Sequence, residues 1–410
     1  MSHSDKTYSI KQIFRENWAD FVSHNQDVTP HVISTVGKML SCRDPEKLGY
    51  HKYICPEHPD QVLVIPNSCK SSFCNSCGKI LTDKFVAKVQ SNFPPVPFHH
   101  ICFTLPDSLR VLLDKNRFLL HTLFKASSQT VLSYYKQQDC LPLVISAMHS
   151  FGRPTNWNPH IHMLISSGGL LLNKDGLPDE KWKALSFIPF VMLQKRYKVI
   201  LIRILKEKIT SYLKSNKENV SKEFSLFSDP NVLNDFFDPL LKINWYVHDS
   251  EDLPPDKFTV TYLCRYAKRP PLAESRILSY GKNPQIDPSN PEQVWVTFHY
   301  ISRTEGKLTR TVKVQDFVKL LVQHILPENF RMVRYYGVLS NRTRGKLLNV
   351  VFKLFGKQNK FVKFQTWRER VLANTGNDPL LCPVCQKQMQ LVEVAYFSPT
   401  LNSLEHYYPT

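Results

Sequence analysis

The sequence is marked first by what it lacks. No apolar run approaches the roughly 18 to 20 residues that a membrane-spanning helix needs, so a membrane role by that route is excluded. The opening MSHSDKTYSIKQIF holds no apolar segment resembling a secretory signal, and the chain is therefore expected in the cytoplasm. No G-x-x-x-x-G-K-[ST] phosphate loop occurs, which removes the common route to nucleotide hydrolysis. No internal repeat of the solenoid kind is found. Negative charge is also scarce: 35 Asp and Glu face 53 Lys and Arg, for a net charge of +18. The basic residues are spread along the chain rather than gathered in a tail, so the expected partner is a polyanion, nucleic acid above all.

Ten cysteines are present, and in a reducing compartment a disulfide framework is not expected. Their clustering carries more information. Cys55 and His58 form a C-x-x-H pair and Cys74 and Cys77 a C-x-x-C pair. Both spacings let a loop wrap one face of a tetrahedral Zn²⁺, and the strand-like VLVI at 62–65 lies between them. The expectation is one structural zinc on Cys55, His58, Cys74 and Cys77, with Cys69 able to displace His58. Lys70 and Lys79 at its edge are placed for phosphate contacts. CPVC at 382–385 is half a site. It either binds a second zinc with distant ligands such as His406 or Cys42, or is a knuckle without a partner. The scattered Cys42, Cys102, Cys140 and Cys264 read as small buried apolar side chains.

The length favours two or three domains. A helical lead and the Cys/His-rich module fill 1–95, a sheet-containing domain 96–345, and a basic region with CPVC 346–410. Segments 98–105, 143–151 and 160–167 read as strands, the last ended by Gly168 and Gly169, with a helical stretch at 108–136. A long helical stretch is expected from about 179 to 216, a hairpin at 293–302 and 308–314, a helix at 315–327 and a strand at 330–340. Strands interleaved with helices and joined by turns indicate an α+β fold.

Two motifs carry chemistry. In NWNPHIHMLISSGG, alternation along a strand sends His160 and His162 to one side and Ile161 to the other. Two adjacent imidazoles can hold one divalent metal, or can simply end a half-buried strand. In TYLCRYAKRP, Tyr262 and Tyr266 are four apart and share a face if the segment is helical. A phenol is a poor nucleophile near neutral pH unless its proton affinity is lowered. Arg265, Lys268 and Arg269 are neighbours suited to that and to holding a phosphate. Taken alone, such a pair is more often packing. Trp157 offers either a stacking surface for a base or a core anchor.

Taken together, HSFGRPTNWNPHIHMLISSGGL, YLCRYAKRPPLAESRI and QDFVKLLVQHILPENFRMVRYYGVLSNR resemble the successive blocks of the two-tyrosine HUH rolling-circle transposases of the insertion sequence 91 family. The zinc-binding module resembles the N-terminal domain of the same family. The resemblance implies a largely antiparallel sheet flanked by helices, with His160 and His162 binding Mg²⁺ or Mn²⁺ on a central strand. It implies Tyr262 and Tyr266 as nucleophiles toward single-stranded DNA at insertion-sequence ends, and a place in the bacterial cytosol or nucleoid. Many relatives have a histidine where this chain has Asn158. The third metal ligand stays open among His149, His99, His100 and Glu274. A zinc-dependent DNA-binding protein without cleavage would share the charge and the zinc module but has no use for the histidine and tyrosine pairs. A plasmid relaxase or replication initiator would share the chemistry.

Overall fold

The structure is a computed structural model, described for residues 8–91, 93–185, 187–216, 220–253, 270–302, 304–356, 365–398 and 400–409. Its strands are β1 (Tyr50–Ile54), β2 (Val62–Pro66), β3 (Phe98–Phe103), β4 (Cys140–Phe151), β5 (Trp157–Leu172), β6 (Pro178–Ala184), β7 (Val247–Leu253), β8 (Ile277–Lys282), β9 (Val294–Ile301), β10 (Lys307–Lys313), β11 (Val333–Gly337), β12 (Gln390–Ser398) and β13 (Ser403–Tyr407). Among the described residues they form three antiparallel sheets, in the orders β13-β12-β1-β2, β10-β9-β8 and β11-β4-β5-β3-β7, with β6 added beside β5. Sheets with helices between and around them make the chain α+β.

The chain divides into two compact units, and these are not the three consecutive segments that composition suggests. One unit comprises 1–87, 268–325 and 362–410, the other 88–267 and 326–361. The expected 293–314 hairpin is present as β9 and β10, but in the first unit, with β8. There the helix Ile10–His24, capped by the Ser9 side chain on the Gln12 N–H, buries Ile13, Phe14 and Phe21. Phe298 of β9 and Phe317 of the helix Val314–Val322 join the same core.

The second unit is built on β5. Ile161, Met163 and Ile165 point from β5 into a core shared with Leu123 and Phe124 of helix His121–Gln137 and with Tyr197 and Leu201 of helix Phe190–Ser215. Each fully buried aliphatic side chain there contributes about 1.5–3 kcal/mol through removal from water. β5 does not stop at Gly168 and Gly169. Gly168 has φ +130°, a backbone that other residues rarely adopt, and a Cβ on Gly169 would sit 2.4 Å from the Leu141 carbonyl oxygen. The glycines let neighbouring strands pass close on either side rather than ending the strand. As a result 178–184, expected to be helix, is strand β6 paired to β5 through Trp182 and Leu170, and the helix begins only at Phe190.

Candidate metal centres

His160 and His162 lie on the face of β5 opposite Ile161 and Met163. In register, His149 of β4 stands opposite His160, while His162 is flanked by Ala147 of β4 and Cys102 of β3. The two small neighbours leave room for the imidazoles. His100 of β3 completes a four-histidine cluster, its Nε2 2.8 Å from His162 Nδ1. The rings of His149 and His162 are 4.3 Å apart. All four histidines are buried.

Hydrogen bonding sets the ring orientations. His160 Nδ1 donates to the Asn158 carbonyl oxygen at 2.6 Å, so its Nε2 carries the lone pair. That Nε2 faces His162 Nε2 at 3.0 Å. When His162 Nδ1 donates to His100, both facing nitrogens are lone pairs. Two ligand nitrogens about 2.1 Å from one ion at a right angle are about 3.0 Å apart, so the pair fits a single divalent cation. Cys102 Sγ lies within the same 4.8 Å group. Asn158 thus serves the site through its backbone carbonyl. The donors are imidazoles with one thiol, which suits a transition ion such as Mn²⁺ better than Mg²⁺.

Of the four candidates for a third ligand, His100 and His149 stand beside the pair. His99 is on the opposite face of β3, its ring 6.2 Å from Phe190. Glu274 belongs to the other unit, where its carboxylate accepts the Ile10 N–H. Cys102, read from sequence as a small apolar residue, was missed. Its only signal is the register with His162, 60 residues along the chain, which no local pattern contains. Trp157 is a core anchor: its indole N–H donates to the Arg110 carbonyl at 3.0 Å, and the Arg117 guanidinium covers its ring. Tyr262, Tyr266, Arg265, Lys268 and Arg269 lie outside the described residues.

Burial takes His100 and His160 down to about 4, and burial first, then the neighbouring imidazoles, takes His149 and His162 well below the ordinary histidine range. An imidazole whose folded pKa lies below its unfolded value of about 6.5 takes up a proton more readily in the unfolded chain. Its contribution to stability is complete above the unfolded value and is lost as pH falls through the interval toward the folded value. Chelator-treated protein is therefore expected to melt at a lower temperature near about pH 5 than above about pH 7. The double variant His100→Gln/His149→Gln should narrow that difference whatever its own stability. An unchanged difference would refute the expectation.

The expected zinc set is corrected by the structure. Cys74 and Cys77 do not meet Cys55 and His58; they group with Cys42 and Cys69. Cys42 and Cys69 each place Sγ 3.6 Å from Cys77 Sγ, close to the about 3.8 Å edge of a tetrahedral Zn–S₄ centre. Cys77 sits in the first turn of helix Asn75–Ser91, where the helix dipole favours a thiolate. Hydrogen bonds from the neighbouring thiols hold Cys77 far below the ordinary thiol range, and those from Cys69 and Cys74 bring Cys42 to about 6. Cys42, offered from sequence only as a distant partner for CPVC, belongs to this set instead; it stands 35 residues from Cys77 with no cysteine near it to announce the pairing. Cys55 and His58 fall instead beside Cys382 and Cys385. Lys70 and Lys79 are both exposed.

A buried imidazole pair on an antiparallel sheet, in a basic chain with a thiolate metal module, is the equipment of a protein that works on DNA. Two family comparisons match: a putative transposase family over residues 144–346, and a transposase zinc-binding domain over residues 13–105. The transposase for insertion sequence element IS801 of Pseudomonas savastanoi pv. phaseolicola is 30% identical over 359 residues, covering 84% of this chain and 79% of the relative. The putative transposase y4qJ of Sinorhizobium fredii is 23% identical, with 85% of each chain covered. No solved structure matches. The class is transposase, with DNA as partner and structural zinc in its N-terminal module. The chain belongs to the insertion sequence 91 family of transposases. No helix among the described residues is long and apolar enough to cross a membrane.

Proposed function

We propose that this transposase nicks and rejoins single-stranded DNA at insertion-sequence ends through 5′-phosphotyrosine intermediates, driving rolling-circle transposition. The observation that carries the reading is the pair of facing imidazole nitrogens on His160 and His162, 3.0 Å apart in a buried setting. His160 and His162 hold the Mg²⁺ or Mn²⁺, which supplies Lewis-acid polarisation of the scissile phosphate. The Asn158 carbonyl and His100 keep the two rings turned toward that point. Tyr262 or Tyr266 attacks phosphorus through its phenolic oxygen. A tyrosine–phosphate ester forms on the 5′ side as the bond to the 3′ oxygen breaks, and that oxygen leaves as a 3′-hydroxyl. The ester keeps the energy of the broken bond, and the second tyrosine can take another strand, so ends are exchanged without nucleotide hydrolysis. Arg265, Lys268 and Arg269 follow the tyrosines and offer charge to the strand. The zinc of the N-terminal module is assigned to Cys42, Cys69, Cys74 and Cys77, a closed set that leaves no open position for catalysis.

Labelled single-stranded DNA carrying the element's end, incubated with protein and Mn²⁺, should yield a covalent adduct. Tyr262→Phe/Tyr266→Phe should abolish it while DNA binding persists, since each lost hydroxyl contact contributes only about 0.5–1.5 kcal/mol, about 2- to 13-fold in affinity. An adduct that persists in the double variant would overturn the tyrosine assignment. Tight binding by the wild type with no cleavage would favour a zinc-dependent DNA-binding protein instead.

A further inference from the structure

Neither family match reaches Cys382 and Cys385, yet the structure brings them to Cys55 and His58. The cause is sheet topology. β12 pairs antiparallel with β1, setting Tyr53 against Leu391 and Ile54 against Gln390. Cys55 directly follows β1, and the loop before β12 holds CPVC, so the pairing delivers the two half-sites to one place within one unit.

The four ligand atoms lie within 4.8 Å of one another. Cys55 Sγ is 3.6 Å from Cys385 Sγ and 3.8 Å from His58 Nδ1, and Cys382 Sγ is 4.0 Å from that same nitrogen. With bonds of about 2.3 Å to sulfur and 2.0–2.1 Å to nitrogen, the edges of a tetrahedral zinc centre are about 3.5–3.8 Å. A disulfide would pair two sulfurs at about 2.05 Å; here three sulfurs and one nitrogen surround a common point instead.

Both loops are shaped for this. The Cys382 N–H donates to the Lys387 carbonyl and the Gln386 N–H to the Cys382 carbonyl, with Gln386 in the left-handed region at φ 58°. That turn aims the N–H groups of Val384 and Cys385 at Cys382 Sγ. On the other side, the Gln61 N–H donates to the His58 carbonyl and the Cys55 N–H to the Gln61 carbonyl, closing the C-x-x-H loop. Cys55 and Cys382 are fully buried, packed with Met389, Tyr53 and Leu63 in a small cluster separate from the main core of the unit.

We propose that Cys55, His58, Cys382 and Cys385 form a second structural Zn²⁺ site that fastens the C-terminal hairpin β12–β13 to the N-terminal ribbon β1–β2. It joins residues 330 apart in the chain. Three thiolates and one imidazole are soft to borderline donors, which select zinc over Mg²⁺ or Ca²⁺. Four protein ligands make it structural.

Native mass spectrometry of the full-length chain tests this. Wild type is expected to carry two zinc ions on these two sites. Cys382→Ser/Cys385→Ser is expected to carry one, because the cluster around this site stands apart from the core that includes the other. His58→Cys should keep two ions and, loaded with Co²⁺, should move its visible bands to longer wavelength as a sulfur replaces the nitrogen. That readout does not depend on any variant losing structure. One zinc in the wild type, unchanged in Cys382→Ser/Cys385→Ser, overturns the proposal. So does a Cys55–Cys385 disulfide, detected as a loss of two hydrogens, or a cobalt spectrum unaltered by His58→Cys.

Discussion

His160→Ala is expected to lower single-strand cleavage about a thousandfold while leaving the second unit folded. A metal at a scissile phosphate is worth several kcal/mol of transition-state stabilisation, and about 4 kcal/mol corresponds to about a thousandfold in rate. The variant removes one of the two facing lone pairs, so an ion held at the remaining His162 has lost half of its imidazole anchor. The structural cost is small by comparison. His160 faces away from the Ile161, Met163 and Ile165 side of β5 that forms the core, and its hydrogen bond to the Asn158 carbonyl is worth about 0.5–1.5 kcal/mol. Circular dichroism should match wild type. Chelation should reduce wild-type cleavage by the same factor, with Mn²⁺ restoring it, and Mn²⁺ should restore little in His160→Ala. A variant that cleaves within tenfold of wild type would remove the metal centre from the reaction.

Those parts of the molecule set by local alternation were legible from the chain. Side chains alternate along a strand with a period of two, so the placing of His160 and His162 on one side and Ile161 on the other follows without any tertiary knowledge, and the register of β5 agrees. Gly168 and Gly169 misled because a glycine pair ends a strand or lets two strands crowd it, and only the neighbours Leu141 and Lys183 decide which. The zinc module was read correctly, but its ligand set was not, for a related reason. C-x-x-H and C-x-x-C each announce half of a tetrahedron, but spacing does not say which halves meet. That depends on β12 docking along β1, a pairing of strands more than 300 residues apart, and on Cys42 following the helix Pro30–Leu40 back toward Cys77. The same limit hid Cys102. The tyrosine pair is the reverse case: it is plain in TYLCRYAKRP and lies outside the described residues.

Loss of the tetrathiolate site should have a larger effect than any change at the histidines. Cys42, Cys74 and Cys77 are themselves members of the first unit's core, in one cluster with Phe14, Phe73, Phe298 and Phe317. Cys69 is held beside them by its N–H to Cys42 Sγ. A structural zinc on cysteines contributes an apparent 10–16 kcal/mol near neutral pH, against a total of about 5–15 kcal/mol for a typical domain. Removing it therefore exceeds what the remaining contacts supply. Cys74→Ser/Cys77→Ser is expected to unfold the first unit cooperatively and to release both zinc ions, since β1 and β2 lose the fold that presents Cys55 and His58. Limited proteolysis should cut within 8–87 and 270–325 while a core from 88–253 persists, because the second unit packs around its own cluster. The contrast with Cys382→Ser/Cys385→Ser, expected to lose one ion and keep the first unit's main core, separates the two roles. A Cys74→Ser/Cys77→Ser protein that stays protease-resistant over 8–87 would mean that the aromatic packing around Phe14, not the metal, holds that unit together.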